Sequence, residues 1–467
     1  MSDIDDVLSR AKGHALAYRT AQPAWTRDYH AMRDRLAAPT PETGMDRVAV
    51  IDELAQLVEG GLMTSTGPRF FGWVIGASDP AGVAADWLVS AWGQNAGYQS
   101  TAPAMAAVEE TAERWLLDIL DLPPESAIGF STGATVANGT CLAAARTGTL
   151  LAAGWDPDED GLFGAPPVHV LIGADAHSSL YASLQLIGFG RRRVISIATD
   201  AQGRMLPAAL EAAIAPLNGP KVVIAQAGQI STGAFDPFSD IAPIAKAHGA
   251  WLHVDGAFGL WARATPELKH LTAGIEAADS WVTDGHKWLQ TPYDSGFAIV
   301  RDKQTLARAM TQWASYLPTI QQGDRVPSNY VPELSRRARG VPVWAVLKSL
   351  GRQGIAAMVE RHCSFARQLA ARLAAEPGIV VLNDVVLNQV SVQFGGDDEA
   401  TRAVIARVQA GGVLFAGGAQ WHGRWTMRFS VISAPTTPAD IDISADAVIA
   451  AWRAVQADSA KASARSS

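Results

Sequence analysis

The stretch Trp251-Leu252-His253-Val254-Asp255-Gly256-Ala257-Phe258-Gly259 is a short apolar run that stops on a carboxylate and turns through glycine. A run of this length is that of a buried strand, and an acid at its end stands at the carboxyl edge of a sheet, where open α/β sheets bind ligands. Similar runs flank it, at residues 168–172, 194–197 and 222–225 before it and at 281–283 and 297–300 after it. Helix-like stretches separate them, mostly at a spacing of roughly 25 to 30 residues, the rhythm of a mainly parallel sheet with crossover helices. Asp255 itself reads equally well as a cap on the following turn or as the partner of a buried cation.

Working outward, two more strand exits carry chemistry. Upstream, Ser131-Thr132-Gly133-Ala134-Thr135-Val136-Ala137-Asn138-Gly139 follows the apolar Ile128-Gly129-Phe130 and opens a helical run from Thr140 to Arg146. Small residues at a helix start let backbone N–H groups point at an anion, with Thr132 and Thr135 as hydroxyl donors; plain capping uses the same residues. Downstream, Ala278-Asp279-Ser280-Trp281-Val282-Thr283-Asp284-Gly285-His286-Lys287-Trp288 places a lysine beside a histidine at the next strand exit. The chain has eight lysines against thirty arginines, so Lys287 stands out. Partial burial makes such an amine a usable nucleophile toward a carbonyl, and a surface lysine is the competing reading. His177, in Asp175-Ala176-His177-Ser178-Ser179, follows another strand end.

The remainder bounds the answer. At 467 residues, a soft prior of about 150 residues per domain suggests two or three units. With 48% hydrophobic and 18% charged residues the chain is well cored. A net charge of −8, spread along the chain, favours neither nucleic acid nor an anionic membrane as partner. The basic runs Arg191-Arg192-Arg193 and Arg336-Arg337 read as solvated or salt-bridged surface. Cys141 and Cys363 give neither a disulfide framework nor a metal site. No apolar run reaches the roughly 18 residues of a membrane span, and the acidic start lacks a signal-peptide pattern, so the expected location is cytoplasmic. Residues 1–80 read as helices and loops, 81–340 as the large α/β unit and 341–456 as a smaller α+β unit. The smaller unit has a long helix from about 341 to 375, strands at 379–382, 391–394 and 427–431, and a last helix opening at Thr437-Pro438. Residues 457–467 read as a frayed tail.

Taken together, the Ser-Thr-Gly helix start, the Ala-His-Ser-Ser turn, the strand-Asp-x-Ala and the Asp-Ser-…-His-Lys-Trp segment resemble the group II pyridoxal-phosphate (PLP) dependent amino-acid decarboxylases. Pro68-Arg69-Phe70-Phe71-Gly72 and Ser335-Arg336-Arg337 extend the resemblance to roughly residues 50–450. It implies the type I fold of PLP enzymes, with a mainly parallel seven-stranded sheet and a small C-terminal α+β domain. It also implies PLP as cofactor and an α-decarboxylation that releases carbon dioxide and a primary amine. Lys287 then matches the Schiff-base lysine, Asp255 the carboxylate at the pyridine nitrogen, and Ala257 and His177 the residues on the two ring faces. Gly133, Ala134 and Thr135 match the phosphate cradle, with Thr283 and His286 beside it.

The resemblance further implies a loop tyrosine as proton donor, here Tyr330, with Tyr316 just upstream. Phe71, Trp73, Trp92, Tyr98 and Arg428 are its candidates for the substrate pocket, and an aromatic or neutral side chain is slightly preferred over an acidic one. A homodimer with shared sites is implied too, the N-terminal segment wrapping the partner and the catalytic loop crossing to it. Two departures stand out. Gly133-Ala134-Thr135-Val136-Ala137-Asn138 stands where many relatives have Gly-Gly-Thr/Ser-Glu-Ala-Asn, a change that backbone N–H donation survives, and Asp284 stands where relatives often have a neutral residue. Aldehyde-forming decarboxylase-oxidases, aminotransferases and carbon–carbon lyases need the same lysine, aspartate and cradle, so they remain alternatives; retention of His177 and Tyr330 favours simple decarboxylation. A non-catalytic PLP-binding regulator is disfavoured by the presence of Lys287 and the lack of a DNA-binding extension.

Overall fold

The computed structural model describes residues 2–21, 28–311 and 324–466. Within these, the chain begins with helices α1 (Ser2–Thr20), α2 (Tyr29–Leu36), α3 (Arg47–Val58), α4 (Pro80–Trp92) and α5 (Pro103–Ile119). The local sequence explains α4 well. The Asp79 side chain accepts the Ala81 N–H, Pro80 opens the first turn, and Gly93 ends the helix in the left-handed region at φ +61°.

Strands β1 (Ala127–Ser131), β2 (His169–Gly173), β3 (Ile195–Ile197), β4 (Lys221–Gln226), β5 (Trp251–Asp255), β6 (Ser280–Asp284) and β7 (Gly296–Val300) form one sheet in the order β1-β7-β6-β5-β4-β2-β3. From β6 to β3 every pairing is parallel, and β7 runs antiparallel to both β6 and β1. Between the strands run α6 (Ala134–Ala152), α7 (Ser178–Leu186), α8 (Pro207–Ile214) and α9 (Phe238–Ala247), and α10 (Lys303–Met310) follows β7. This is the mainly parallel, seven-stranded arrangement that the apolar runs and the resemblance imply.

Both faces of the sheet are buried, which is why its strands read as continuous apolar runs. Val223, Val254 and Trp281 face one core with Phe238 and Ile241 of α9. Val282 and Ala298 face α6, whose small Ala137, Cys141 and Ala144 let it lie close. A polar chain crosses this second layer. The Trp251 indole N–H donates to Ser280 Oγ (2.8 Å), Ser280 Oγ lies 2.9 Å from His253 Nδ1, and His253 Nε2 lies 2.8 Å from Asn138 Oδ1. Neutral His253 donates from Nε2 to Asn138, whose Nδ2 is left buried without a hydrogen-bond partner, and burial holds the histidine's pKa down at about 3.

The C-terminal part begins with α11 (Gly340–Ala374), broken at Gly351, where φ is +62°. It continues through β8 (Ile379–Val381), β9 (Gln389–Phe394), α12 (Asp398–Gly411), β10 (Gly417–Trp421), β11 (Arg424–Ser430) and α13 (Pro438–Ser466). The four strands pair antiparallel in the order β10-β11-β9-β8. β10, which starts Gly417-Gly418-Ala419, has no alternating apolar signal and was not anticipated. Helix α13 continues to Ser466, past the point where the sequence suggests fraying.

Two residues depart from their sequence readings for clear physical reasons. Phe71, expected near the substrate, is a core residue of the small sheet unit. Its N–H donates to the Phe415 carbonyl (2.7 Å), its carbonyl accepts the Ser430 N–H (3.0 Å), and its ring meets Phe429. Arg336 is fully buried rather than on the surface. It pairs with buried Glu109 at 2.8 Å and donates to the Phe130 carbonyl of β1. Glu109 supplies the counter-charge that makes this burial tolerable.

Because folded His253 stays neutral, the unfolded chain binds one more proton below the ordinary histidine pKa of 6.5. Stability is fully present above that pH and should fall as pH drops toward about 3. Denaturant titrations of wild type and His253→Gln across this window should differ in slope by ~1.4 kcal/mol per pH unit. Equal slopes would show that His253 is not buried neutral.

Candidate active site

Three neighbouring parallel strands end on polar residues, β4 on Gln226, β5 on Asp255 and β6 on Asp284. Gln226 lies opposite Asp255 in register. Their ends open onto a cavity of about 310 Å³ that is also bounded by the start of α6, His177, Ala257, His286 and Lys287.

Asp255 is 3% exposed, and its Oδ1 accepts the Ala257 N–H at 3.1 Å. Burial pushes its carboxyl pKa up, while the charges of Lys287 and His177 pull the other way. Such a group calls for a cation at the free end. His177 caps α7 and opens to the cavity. Its Nδ1 accepts the Ser179 N–H at 3.3 Å, which leaves the ring proton on Nε2. Desolvation lowers this imidazole's pKa, against the pull of Asp255, so the ring is neutral at neutral pH.

Lys287 Nζ lies 2.9 Å from Asp284 Oδ2, and His286 Nε2 lies 3.6 Å from the same oxygen. His286 accepts the Ser295 N–H at Nδ1 and stacks on Tyr293, with ring centroids 4.2 Å apart. Burial holds its pKa down as well. Beside His286 and Asp284, Gly133 caps α6 without a side-chain hydrogen bond, so the first-turn N–H groups face the cavity. A Cβ on Gly133 would stand 3.1 Å from His286 Cε1, and one on Gly296 of β7 would stand 2.5 Å from Gly133 Cα. Two glycines thus keep the cradle open and pressed against the sheet.

The structure therefore gathers Lys287, Asp255, His177, Ala257, His286, Gly133, Ala134 and Thr135 around one cavity. Thr283 stands just behind it, its hydroxyl 3.3 Å from the Ala257 carbonyl. Arg428 donates to the carbonyl of Ile230, a cavity-lining residue, and burial lowers its pKa to about 10. The aromatic candidates do not border the cavity within the single chain. Trp73 packs on Phe70 and Phe415, Trp92 is exposed on α4, and Tyr98 is buried before α5. Tyr330 lies in a turn with the Arg325 guanidinium 4.4 Å over its ring and does not line the cavity. Tyr316 lies outside the described residues. Sequence reading missed Gln226, Ile230 and Phe258, which also line the cavity, and Tyr293. The last residue of each apolar run was the available signal, and it was used only at Asp255.

A parallel sheet with a lysine, a carboxylate and an anion cradle at its carboxyl edge defines a PLP enzyme of the type I fold. The family model described as "Pyridoxal-dependent decarboxylase conserved domain" matches residues 30–394, so the chain belongs to that family and takes PLP as its cofactor. It is similar to the aromatic-L-amino-acid decarboxylase of Bacillus atrophaeus, at 28% identity over 79% of this chain and 76% of the relative. It is also similar to that of Sus scrofa, at 26% identity over 92% and 89%. Among solved structures, Oryza sativa TDC with PLP and tryptamine has a TM-score of 0.90 at 23% identity, covering 97% of this chain and 98% of that one. Rhodiola rosea 4-hydroxyphenylacetaldehyde synthase has a TM-score of 0.85 at 21% identity, with 97% of each chain covered.

The residues present fit PLP. The buried Asp255 carboxyl suits a pyridinium nitrogen, the glycine-lined cradle suits a phosphate, and the cavity lies between them. Gly296→Ala should push β7 into Gly133 and weaken PLP binding by about tenfold or more while the chain stays folded. Absorbance titration with PLP measures this; an unchanged affinity would place the phosphate elsewhere.

Proposed function

We propose that this chain, a PLP-dependent amino-acid decarboxylase by family, removes the α-carboxylate of an aromatic L-amino acid, using Lys287 as its Schiff-base lysine. The observation that carries the reading is the convergence of Lys287, the buried Asp255 and the neutral His177 on one cavity with an anion cradle at its end. When bound, PLP supplies the electron sink for the pair left by departing carbon dioxide. Asp255 would hold a proton on the pyridine nitrogen. His177 and Ala257 would hold the ring faces, and the N–H groups of Gly133, Ala134 and Thr135 would hold the phosphate, with His286 beside them.

An aromatic substrate is supported by the names of the relatives and by the apolar Ile230, Phe258 and Val136 in the cavity wall. Product formation also needs a proton at the α-carbon. Tyr330, the first candidate, is committed to packing beneath Arg325, and burial raises its phenol pKa. That shifts the proposed donor role to Tyr316. Tyr316→Phe should cut amine formation by about a hundredfold, as general acids contribute, with Tyr330→Phe within a few-fold of wild type; the reverse pattern would return the role to Tyr330.

A homodimer is the proposed assembly. It is supported by Leu8 and Leu16 of α1, Val50 and Leu54 of α3, and Trp87, Leu88 and Trp92 of α4, which are exposed in the single chain and which a partner would cover. The proposed location is cytoplasmic, supported by two buried free cysteines. Among the described residues no helix is long and apolar enough to cross a membrane.

The test is an absorption spectrum of the protein with PLP, before and after borohydride, on wild type and Lys287→Ala. A visible band that reduction fixes to wild type alone is expected. Amino acids are then screened for carbon dioxide and, because one structural neighbour is an aldehyde synthase, for hydrogen peroxide. Carbon dioxide without peroxide, from aromatic substrates, is the expected result. Peroxide in step with carbon dioxide would make the chain aldehyde-forming, and no band with added PLP would remove the lysine assignment.

A further inference from the structure

Asp284 is a second carboxylate in a cavity where Asp255 already serves the pyridine nitrogen. Its backbone is pinned on both sides, the N–H donating to the Ala257 carbonyl (2.9 Å) and the carbonyl accepting the Trp261 indole N–H (3.2 Å). The side chain is 2% exposed, and it meets Lys287 Nζ at 2.9 Å through Oδ2. Its other oxygen, Oδ1, is buried with no hydrogen-bond partner and stands 3.7 Å from where a Cβ of Gly133 would be. A carboxylate at the edge of a phosphate cradle repels the phosphate unless a cation neutralises it.

The candidates for that cation can be told apart. Asp255 acts on the amine from β5, His177 from the start of α7 and His286 from the turn after β6; Tyr293 stacks on His286, Asp294 pairs with Arg339, and Arg428 of β11 acts on His177. Burial lowers the pKa of His286, and partial desolvation lowers that of the more open His177, so neither is a strong cation at neutral pH. Arg428 is turned to the Ile230 carbonyl. Lys287 is the cationic side chain that meets Asp284 at ion-pair distance, 2.9 Å.

We propose that Asp284 is the berth of the Lys287 ammonium, keeping the amine protonated and drawn to the β6 end of the cavity whenever the lysine is not bonded to PLP. The proposal rests on Lys287 being the cofactor lysine. For the lysine to bond, one N–H proton must leave the ammonium for solvent; the nitrogen lone pair then joins the aldehyde carbon, the carbon–oxygen bond breaks, and the oxygen departs as water with the amine's two remaining protons. Asp284 therefore slows capture at neutral pH. When substrate displaces the lysine, the same pair draws the freed amine aside as its ammonium. Asp284 is thus a positioning residue that acts through Lys287.

The test uses the full chain freed of cofactor, as wild type and as Asp284→Asn, which keeps the shape and loses the charge. Each is mixed with pyridoxal, which has no phosphate, and separately with PLP, and formation of the Schiff-base absorbance is timed. At about pH 7 the variant should capture pyridoxal at least ~tenfold faster, and the gap should narrow as the pH is raised past the ordinary lysine value of about 10.4, where free amine becomes plentiful. Equal or slower capture of pyridoxal by the variant overturns the proposal, since a slower variant would make Asp284 a proton acceptor. A gain with PLP alone also overturns it, by placing the effect on the phosphate. If wild type forms no borohydride-fixable band with either aldehyde, the Lys287 assignment fails instead. Should Asp284→Asn not fold, Asp284→Ser carries the same comparison.

Discussion

A carboxylate buried without a cation of its own is the constraint around which this molecule is organised. Asp255 closes β5 at 3% exposure and accepts only a backbone N–H at Oδ1. Leaving such a charge unpaired costs several kcal/mol, so the arrangement makes sense only with a positive group at the open end. A protonated pyridine nitrogen meets that need. The parallel sheet is what allows it, because consecutive strands deliver their last residues to one edge.

The rest of the chain holds that edge in shape. The polar chain from Trp251 through Ser280 and His253 to Asn138 ties β5 and β6 to α6, whose start is the cradle. Behind β1, Arg336 and Arg325 share buried Glu109, and Arg325 also reaches Glu113 and the Ile128 carbonyl. This clamps the chain that follows the undescribed segment 312–323 against the strand leading to the cradle. The small unit is fastened similarly: Arg69 pairs with Asp440 at 2.8 Å while Phe71 fills its core. His422, at the tip of the β10–β11 hairpin, meets Asp175, two residues before His177.

What could be read from sequence follows from the kind of signal each feature leaves. Strands buried on both faces leave runs, so the seven strands were visible, while the reversed direction of β7 was not. Lys287, Asp255 and His177 were visible because Asp255 ends such a run and the other two stand in the turns that follow one. β10 leaves no run, since Gly417 and Gly418 contribute no side-chain pattern. Arg336 was misread because a charged residue gives no local hint of a partner more than two hundred positions away. Phe71 was misplaced for the same reason: its partners Phe415 and Phe429 are joined to it only by the fold. The ion pair between Asp284 and Lys287 was half visible. The spacing of three residues was plain, but the direction of the side chains depends on the turn that β7 closes.

The site sets two carboxylates at the ends of adjacent strands and gives them different surroundings. Asp255 faces the centre of the cavity, with Lys287, His177 and Asp284 all contributing to its electrostatics. Asp284 sits at the side, bonded to an ammonium through one oxygen and to nothing through the other. Environment rather than residue type separates their tasks, as it does wherever two acids share a site. A neutral residue in place of Asp284 would remove the repulsion beside the cradle but leave the displaced lysine without a counter-charge. The aspartate is consistent with a site in which Lys287 must be released and held during each turnover as well as bound at rest.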